Sequence, residues 1–192
     1  IMPGAGTSPP PSPSVSAGGT HSCAVTTDEP LACGGANGNG QAPPPAGTYT
    51  SVSAGGTHSC AIAADGTLAC WGANGNGRAT PPAGAYTSVS AGSSHNCAVA
   101  TDGTLACWGY DLWGQASPPA GTYTSVSVDD THSCAVASDG TLACWGYDSD
   151  GRATPPAGTY ASVAPGPNHS CAVAPGDTLP RRGYDGAGRA TP

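Results

Sequence analysis

The sequence predicts an all-β chain, an array of five 37-residue units that each hold three to four short strands. Three observations carry that expectation. Cys23, Cys60, Cys97, Cys134 and Cys171 each stand 37 residues after the last, and a period of this size marks stacked supersecondary units. Within a unit, two β-rich runs meet across Asp-Gly, a strong hairpin signal. No apolar pattern of period 3.6 occurs, so no helix is expected.

The unit from Tyr86 to Ala120 can be taken element by element. Tyr86 to Ala91 alternates and is rich in β-formers, so it is a strand ended by Gly92. His95 to Ala100 is the second strand and Leu105 to Trp108 the third. With Thr101-Asp102-Gly103 as the loop, Gly103 takes the left-handed position of a three-residue turn. That register sets Ala100 against Thr104, Val99 against Leu105, Ala98 against Ala106 and Cys97 against Cys107. The cysteines share a face with Val99 and Leu105, while the other face carries Ala98 and Ala106 with Trp108 nearby. A small face against a larger one lets successive hairpins stack closely. The links, Gly-Tyr-Asp-Leu-Trp-Gly or Gly-Ala-Asn-Gly-Asn-Gly before Pro-Pro-Ala-Gly, read as rim loops with room for a fourth strand.

Residues 1-14 are then a Pro/Ser-rich link, and 15-192 hold the repeats at about 15-51, 52-88, 89-125, 126-162 and 163-192. Ile1 opens the chain without a signal peptide, and both ends fall inside a link, so a processed chain or a piece of a longer array is expected. The outer units depart from the pattern, as capping repeats do. The first has Asp28-Glu29-Pro30 at its turn and Gly34 for tryptophan, and the last has Pro175-Gly176-Asp177 and Leu179-Pro180-Arg181-Arg182-Gly183.

Composition narrows the function. Glycine and proline make 50 of 192 residues, and Leu, Ile, Val and Phe only 18, too few for an ordinary α/β core or a helical bundle. A net charge of −7 with five arginines and no lysine argues against nucleic acid. No apolar stretch is long enough to span a membrane as a helix.

Cysteines ten apart and opposed across a hairpin point to the disulfides Cys23–Cys33, Cys60–Cys70, Cys97–Cys107 and Cys134–Cys144. Zinc prefers tighter pairs and four convergent ligands, so no metal and no cofactor is expected. Such staples imply an oxidising compartment, hence a secreted or cell-surface protein. Cys171 has no cysteine at position 181 and is either a free buried thiol or half of an intermolecular disulfide. His21, His58, His95, His132 and His169 recur two residues before each leading cysteine. A feature repeated in every unit is structural, such as an imidazole bonded to neighbouring backbone, and no unique acid, base or nucleophile suggests an enzyme.

Weaker signals remain. Asn168-His169-Ser170 is an N-glycosylation sequon, and the Ser/Thr-Pro stretches at Thr7 to Pro13, Thr80 and Thr154 are candidate O-glycosylation sites. Asp148-Ser149-Asp150-Gly151 is half a calcium loop without its closing acid and reads as a turn. Leu112 and Trp113 put apolar side chains in a rim loop, as a recognition site would.

The unit VSAGGTHSCAIAADGTLACWGANGNGRATPPAG resembles the repeats of the regulator-of-chromosome-condensation family. The matching elements are Ala-Gly-Gly before the histidine, His-Ser-x-Ala-Ile/Val, the Asp-Gly-Thr-Leu turn and Cys-Trp-Gly with its following Gly-x-Gly. The resemblance implies a β-propeller-like array, as a closed ring or an open stack, with histidine and tryptophan inside the blades. The short unit is also similar to secreted bacterial β-lactamase-inhibitor propellers of that family, whose blades are three-stranded. Better-known members have seven blades, about two more than this chain supplies, and the nucleotide-exchange and chromatin roles of nuclear members do not suit an acidic, disulfide-rich chain. Fold travels along such a resemblance further than function. The expected function is a non-enzymatic extracellular structural protein, a glycosylated filament or cell-surface component that self-associates. The alternative is a secreted binding module that recognises a protein or glycan, or inhibits an enzyme, through its rim loops.

Overall fold

The structure, a computed structural model, describes residues 13–26, 30–174 and 181–183. Its strands form five three-stranded antiparallel sheets, each in chain order with the second strand in the middle. The first holds β1 (Ser14–Ala17), β2 (His21–Val25) and β3 (Ala32–Gly35), the second β4 (Tyr49–Ala54), β5 (His58–Ala63) and β6 (Leu68–Gly72). The third holds β7 (Tyr86–Ala91), β8 (His95–Ala100) and β9 (Leu105–Gly109), the fourth β10 (Tyr123–Val128), β11 (His132–Ala137) and β12 (Leu142–Gly146). β13 (Ser162–Gly166), β14 (His169–Val173) and β15 (Arg181–Gly183) make the fifth. The candidate glycosylation stretch at residues 7–12 and the variant turns at residues 28–29 and 175–180 lie outside the described residues.

Local chemistry sets the hairpin register. Asp102 Oδ1 accepts the Thr104 amide at 2.9 Å and its hydroxyl at 2.7 Å, and Gly103 adopts φ 84°, open to glycine at little cost. β8 and β9 then pair Val99 with Leu105, Ala98 with Ala106 and Cys97 with Cys107. The Ala100 amide donates to the Thr104 carbonyl at 2.8 Å, so the alternation puts the cysteines at a non-hydrogen-bonded position, where antiparallel strands approach most closely. Disulfides join Cys23–Cys33, Cys60–Cys70, Cys97–Cys107 and Cys134–Cys144. Their Cα separations of 4.0 to 4.1 Å fall just below the usual range of about 4.4–6.8 Å.

The sheets stack by seating the small face of one on the large face of its predecessor. Ile62 and Leu68 pack against Ala98, Ala106 and Trp108, and Cys97, Leu105 and Cys107 against Ala135, Ala143 and Trp145. Covered on both faces, Cys97, Ala98 and Val99 are all buried. Alanine and cystine thus let sheets approach closely enough to make a core from few large side chains.

The link crosses from one end of the sheet to the other. Its start is pinned where the Tyr110 amide donates to the Ser94 carbonyl at 3.0 Å, its end where the Tyr123 amide donates to Gly103 at 2.8 Å. Of the three to four strands expected per unit, three are present. The link forms no fourth strand, because its prolines lack amide hydrogens and residues such as Asn76 (φ 59°) and Gly77 (φ 74°) turn out of extended geometry. Among the described residues one 3-10 turn, Gly75–Gly77, stands where no helix was expected. Among the described residues, no helix is long and apolar enough to cross a membrane.

Candidate functional site: the loops between the third and fourth units

The repeated histidines are joints between units. Nε2 of His21, His95 and His132 meets Ser59, Ser133 and Ser170 Oγ of the following unit at 2.7, 2.8 and 2.8 Å, and His58 Nε2 meets Asn96 Oδ1 at 2.6 Å. Ser59, Ser133 and Ser170 donate onward to the link carbonyls of Gln41, Gln115 and Arg152 at 3.2, 3.0 and 3.0 Å, and Asn96 Nδ2 to that of Arg78 at 2.9 Å. Each partner therefore spends its donor on the link and accepts from the imidazole, which assigns the proton to Nε2. The indoles of Trp71, Trp108 and Trp145 donate to the carbonyls of Gln41, Arg78 and Gln115 at 2.8, 3.0 and 2.9 Å. The sequence expectation of an imidazole bonded to backbone is thus corrected. The partner is a side chain of the next unit, and backbone is reached only through it.

These rings are held neutral. Burial pushes His21 and His58 below the usual histidine range, and His95 and His132 down to about 4. Among the described residues no three His, Cys, Asp or Glu side chains converge as metal ligands.

The loop residues divide into those that serve the loop and those that face solvent. Asp148 accepts the Ala153 amide and the Thr154 hydroxyl at 2.7 and 2.6 Å, while Asp150 pairs with Arg152, so this stretch is a hydrogen-bonded turn. Asn74 binds the Thr80 hydroxyl at 3.0 Å; Thr80 and Thr154 are exposed, with hydroxyls engaged in their own loops. Asn168 lies half-buried in the turn between β13 and β14, and its sequon partner Ser170 is buried. Cys171 is unpaired and half-buried, opposite Arg181 in the β14–β15 register.

Leu112 and Trp113 are different. They are 66 % and 47 % exposed, and with Val15 they are the large hydrophobics left open to solvent among the described residues. Trp113 is held by Tyr147 of the next link, with ring centroids 5.0 Å apart, and the Arg152 guanidinium lies 5.0 Å from the centre of the Tyr147 ring. The Tyr147 amide donates to the Thr131 carbonyl at 3.0 Å, and Arg152 Nη1 to that of Pro167 at 2.7 Å. Both contacts lead to the turns after the first strands, which line one concave space of about 390 Å³ with residues from all five units, Asp129, Asp130 and Pro167 included. Burial raises the Asp129 carboxyl, and its Oδ2 has no hydrogen-bond partner.

The sequence pointed to Leu112 and Trp113 but missed Tyr147, Arg152, Asp129 and Asp130. A signal existed. Aligned on the period, Asp129-Asp130 stand where the first two units have Gly18-Gly19 and Gly55-Gly56.

Three stretches, residues 49–78, 86–115 and 123–152, match the family model of the regulator of chromosome condensation (RCC1) repeat. Comparison with curated proteins gives no match. Among solved structures, the ectodomain of the Physcomitrella patens receptor kinase CR4 aligns with 88 % of this chain and 52 % of its own, at 25 % identity and a TM-score of 0.75. Human WBSCR16 aligns with 89 % of this chain and 61 % of its own, at 18 % identity and a TM-score of 0.77. Yeast RCC1 (Prp20) aligns with 88 % and 55 %, at 16 % identity and a TM-score of 0.76. The chain thus spans between half and two thirds of the length of these structures. With three of its units matched by that repeat model and its three-stranded sheets aligning with such structures, the chain carries RCC1-type repeats and has an all-β, propeller-like fold.

Proposed function

We propose that this chain is a non-enzymatic extracellular recognition module that binds a protein partner through the loops between its third and fourth units. One observation carries the reading. Among the described residues the large apolar side chains left open are Val15, Leu112 and Trp113, and the last two stand together on a loop braced by Tyr147. Four disulfides support an oxidising, extracellular setting, as does the likeness at 25 % identity to a receptor kinase ectodomain.

The structural-polymer reading, ranked first on sequence, requires the contact between units to continue from chain to chain. The fifth unit weighs against that continuation. The first strands of units one to three each offer a serine to an amide of the next unit, Ser16 to Ala54 at 2.9 Å, Ser53 to Ala91 at 3.0 Å and Ser90 to Val128 at 3.1 Å. The fifth has Ala164 at that position, without a hydroxyl to offer. Electron microscopy and sedimentation of the unreduced chain test the reading. Discrete particles of one size are expected, and long fibres with a regular axial repeat would overturn it in favour of a structural array.

A further inference from the structure

We infer that the partner surface recognised here is a basic protein segment, its apolar side chain resting on Leu112 and Trp113 and its Lys or Arg side chains reaching Asp129 and Asp130. This rests on the recognition-module reading and adds the chemistry of the partner.

Positions that bind one unit to the next hardly change: histidine recurs, the residue after it is serine or asparagine, and the cystine pair and tryptophan persist through the inner units. Away from those positions, the departures gather at one junction. Trp113 stands where the first two links have Asn39 and Asn76, Tyr147 where they have Ala36 and Ala73, and Asp129-Asp130 replace the Gly-Gly pairs. The units with glycine and alanine at these positions build the same three-stranded sheets, so sheet formation does not require the changes.

The departures are also continuous in space. Trp113 rests on Tyr147, the Tyr147 amide is bonded to the residue after Asp130, and Arg152 reaches from the Tyr147 ring to the Pro167 carbonyl beside the two aspartates. The aromatic patch and the acidic edge of the concave space therefore form one surface.

Charge points the same way. Asp111, Asp129, Asp130, Asp148 and Asp150 place five of the chain's twelve acidic residues in these two links and the turn between them. The described guanidiniums nearby are committed elsewhere. Arg78 Nη1 donates to the Ser93 carbonyl at 2.9 Å, and Arg152 donates to Pro167 and pairs with Asp150. Ser93 donates one hydrogen bond to Asp130, while Asp129 Oδ2 is a buried acceptor without a donor. An aromatic platform beside an edge of net acidic charge fits a segment that mixes cationic and apolar side chains, through steering at long range and burial at contact.

The test is an array of synthetic peptides about a dozen residues long, with binding then measured in solution on the oxidised full chain. Controls restore the residues of other repeats, so that folding is kept: Asp129→Gly, Asp130→Gly and Trp113→Asn, each checked by circular dichroism and intact disulfide mass. Peptides rich in Lys or Arg with a Leu, Phe or Trp are expected to bind. Their affinity should fall at least about tenfold in the Asp129→Gly/Asp130→Gly chain and in Trp113→Asn, and should weaken steeply with salt. Selection of acidic or neutral peptides, or binding that ignores both variants, overturns the inference. If a glycan or a neutral peptide binds and is lost in Trp113→Asn alone, the basic-segment inference fails while the recognition module stands. Fibres in place of discrete particles would remove the module itself.

Discussion

The inner units and the fifth unit differ in how completely they are tied to their neighbours. Units two to four each contribute a cystine, a tryptophan bonded to the link carbonyl before it, and a histidine bonded into the unit after it. The fifth accepts the His132 bond through Ser170 but lacks the other devices. Pro165 has no amide for Ser127 to cap, Ala164 stands where the earlier units have Ser16, Ser53, Ser90 and Ser127, Arg182 stands for the tryptophan and Arg181 for the second cysteine. Stability in such an array is a sum of unit and interface contributions, so the inner units should be rigid and the fifth the first to open.

The largest expected effect is that of reduction. Each closed loop of about ten residues is worth roughly 2–3 kcal/mol in the entropy model, and four of them exceed the margin of many domains. Thermal melts with and without reductant should differ by tens of degrees, and superimposable melts would mean that the disulfides carry little of the stability.

Acid comes next. His95 and His132 sit at about 4 in the folded chain against 6.5 unfolded, so the unfolded chain binds protons first and stability rises with pH. Their contribution is complete above about pH 6.5 and drains away as pH falls toward 4, by roughly 3 kcal/mol each. Asp129, raised by burial, opposes this slightly, and Asp65, Asp102 and Asp139, lowered by their threonine hydrogen bonds, act only below the normal aspartate range. Urea midpoints between about pH 7 and pH 4 measure the slope; a flat profile would mean the rings are not held neutral.

Single substitutions sharpen the contrast between inner and outer units. His95→Ala leaves Ser133 without its imidazole donor inside the stack and should cost about 2–4 kcal/mol. His169→Ala, half-buried in the fifth unit, should cost under about 1 kcal/mol, and equal losses at the two sites would dissolve the distinction. One change is a gain. Arg181→Cys places a thiol opposite Cys171 in an existing register and should add about 2 kcal/mol, read as a higher midpoint and, by mass after alkylation, as the disappearance of the free thiol.

Much of each unit was legible because its causes are local. The Asp-Gly turn sets the hairpin register, and the register alone brings Cys97 opposite Cys107. The small and large faces of β8 could be read for the same reason, since alternation along a strand assigns faces without knowing the neighbour. The missing fourth strand was harder, because proline and left-handed residues in the link act against a pairing that only the neighbouring sheet could have offered. At the candidate site, the exposure of Leu112 and Trp113 followed from their place in a link, whereas Tyr147 and Arg152 became partners of that loop only through stacking.

By itself, then, the sequence determined the period, the three strands, their register and the positions where cystines can close, all interactions spanning about a dozen residues or fewer. Tertiary structure decided the rest. His95 meets Ser133 and Trp113 meets Tyr147 across 38 and 34 positions in the chain, and those distances close only when one sheet settles on the next. The stacking geometry is the shared property of two faces, so neither strand alone contains it.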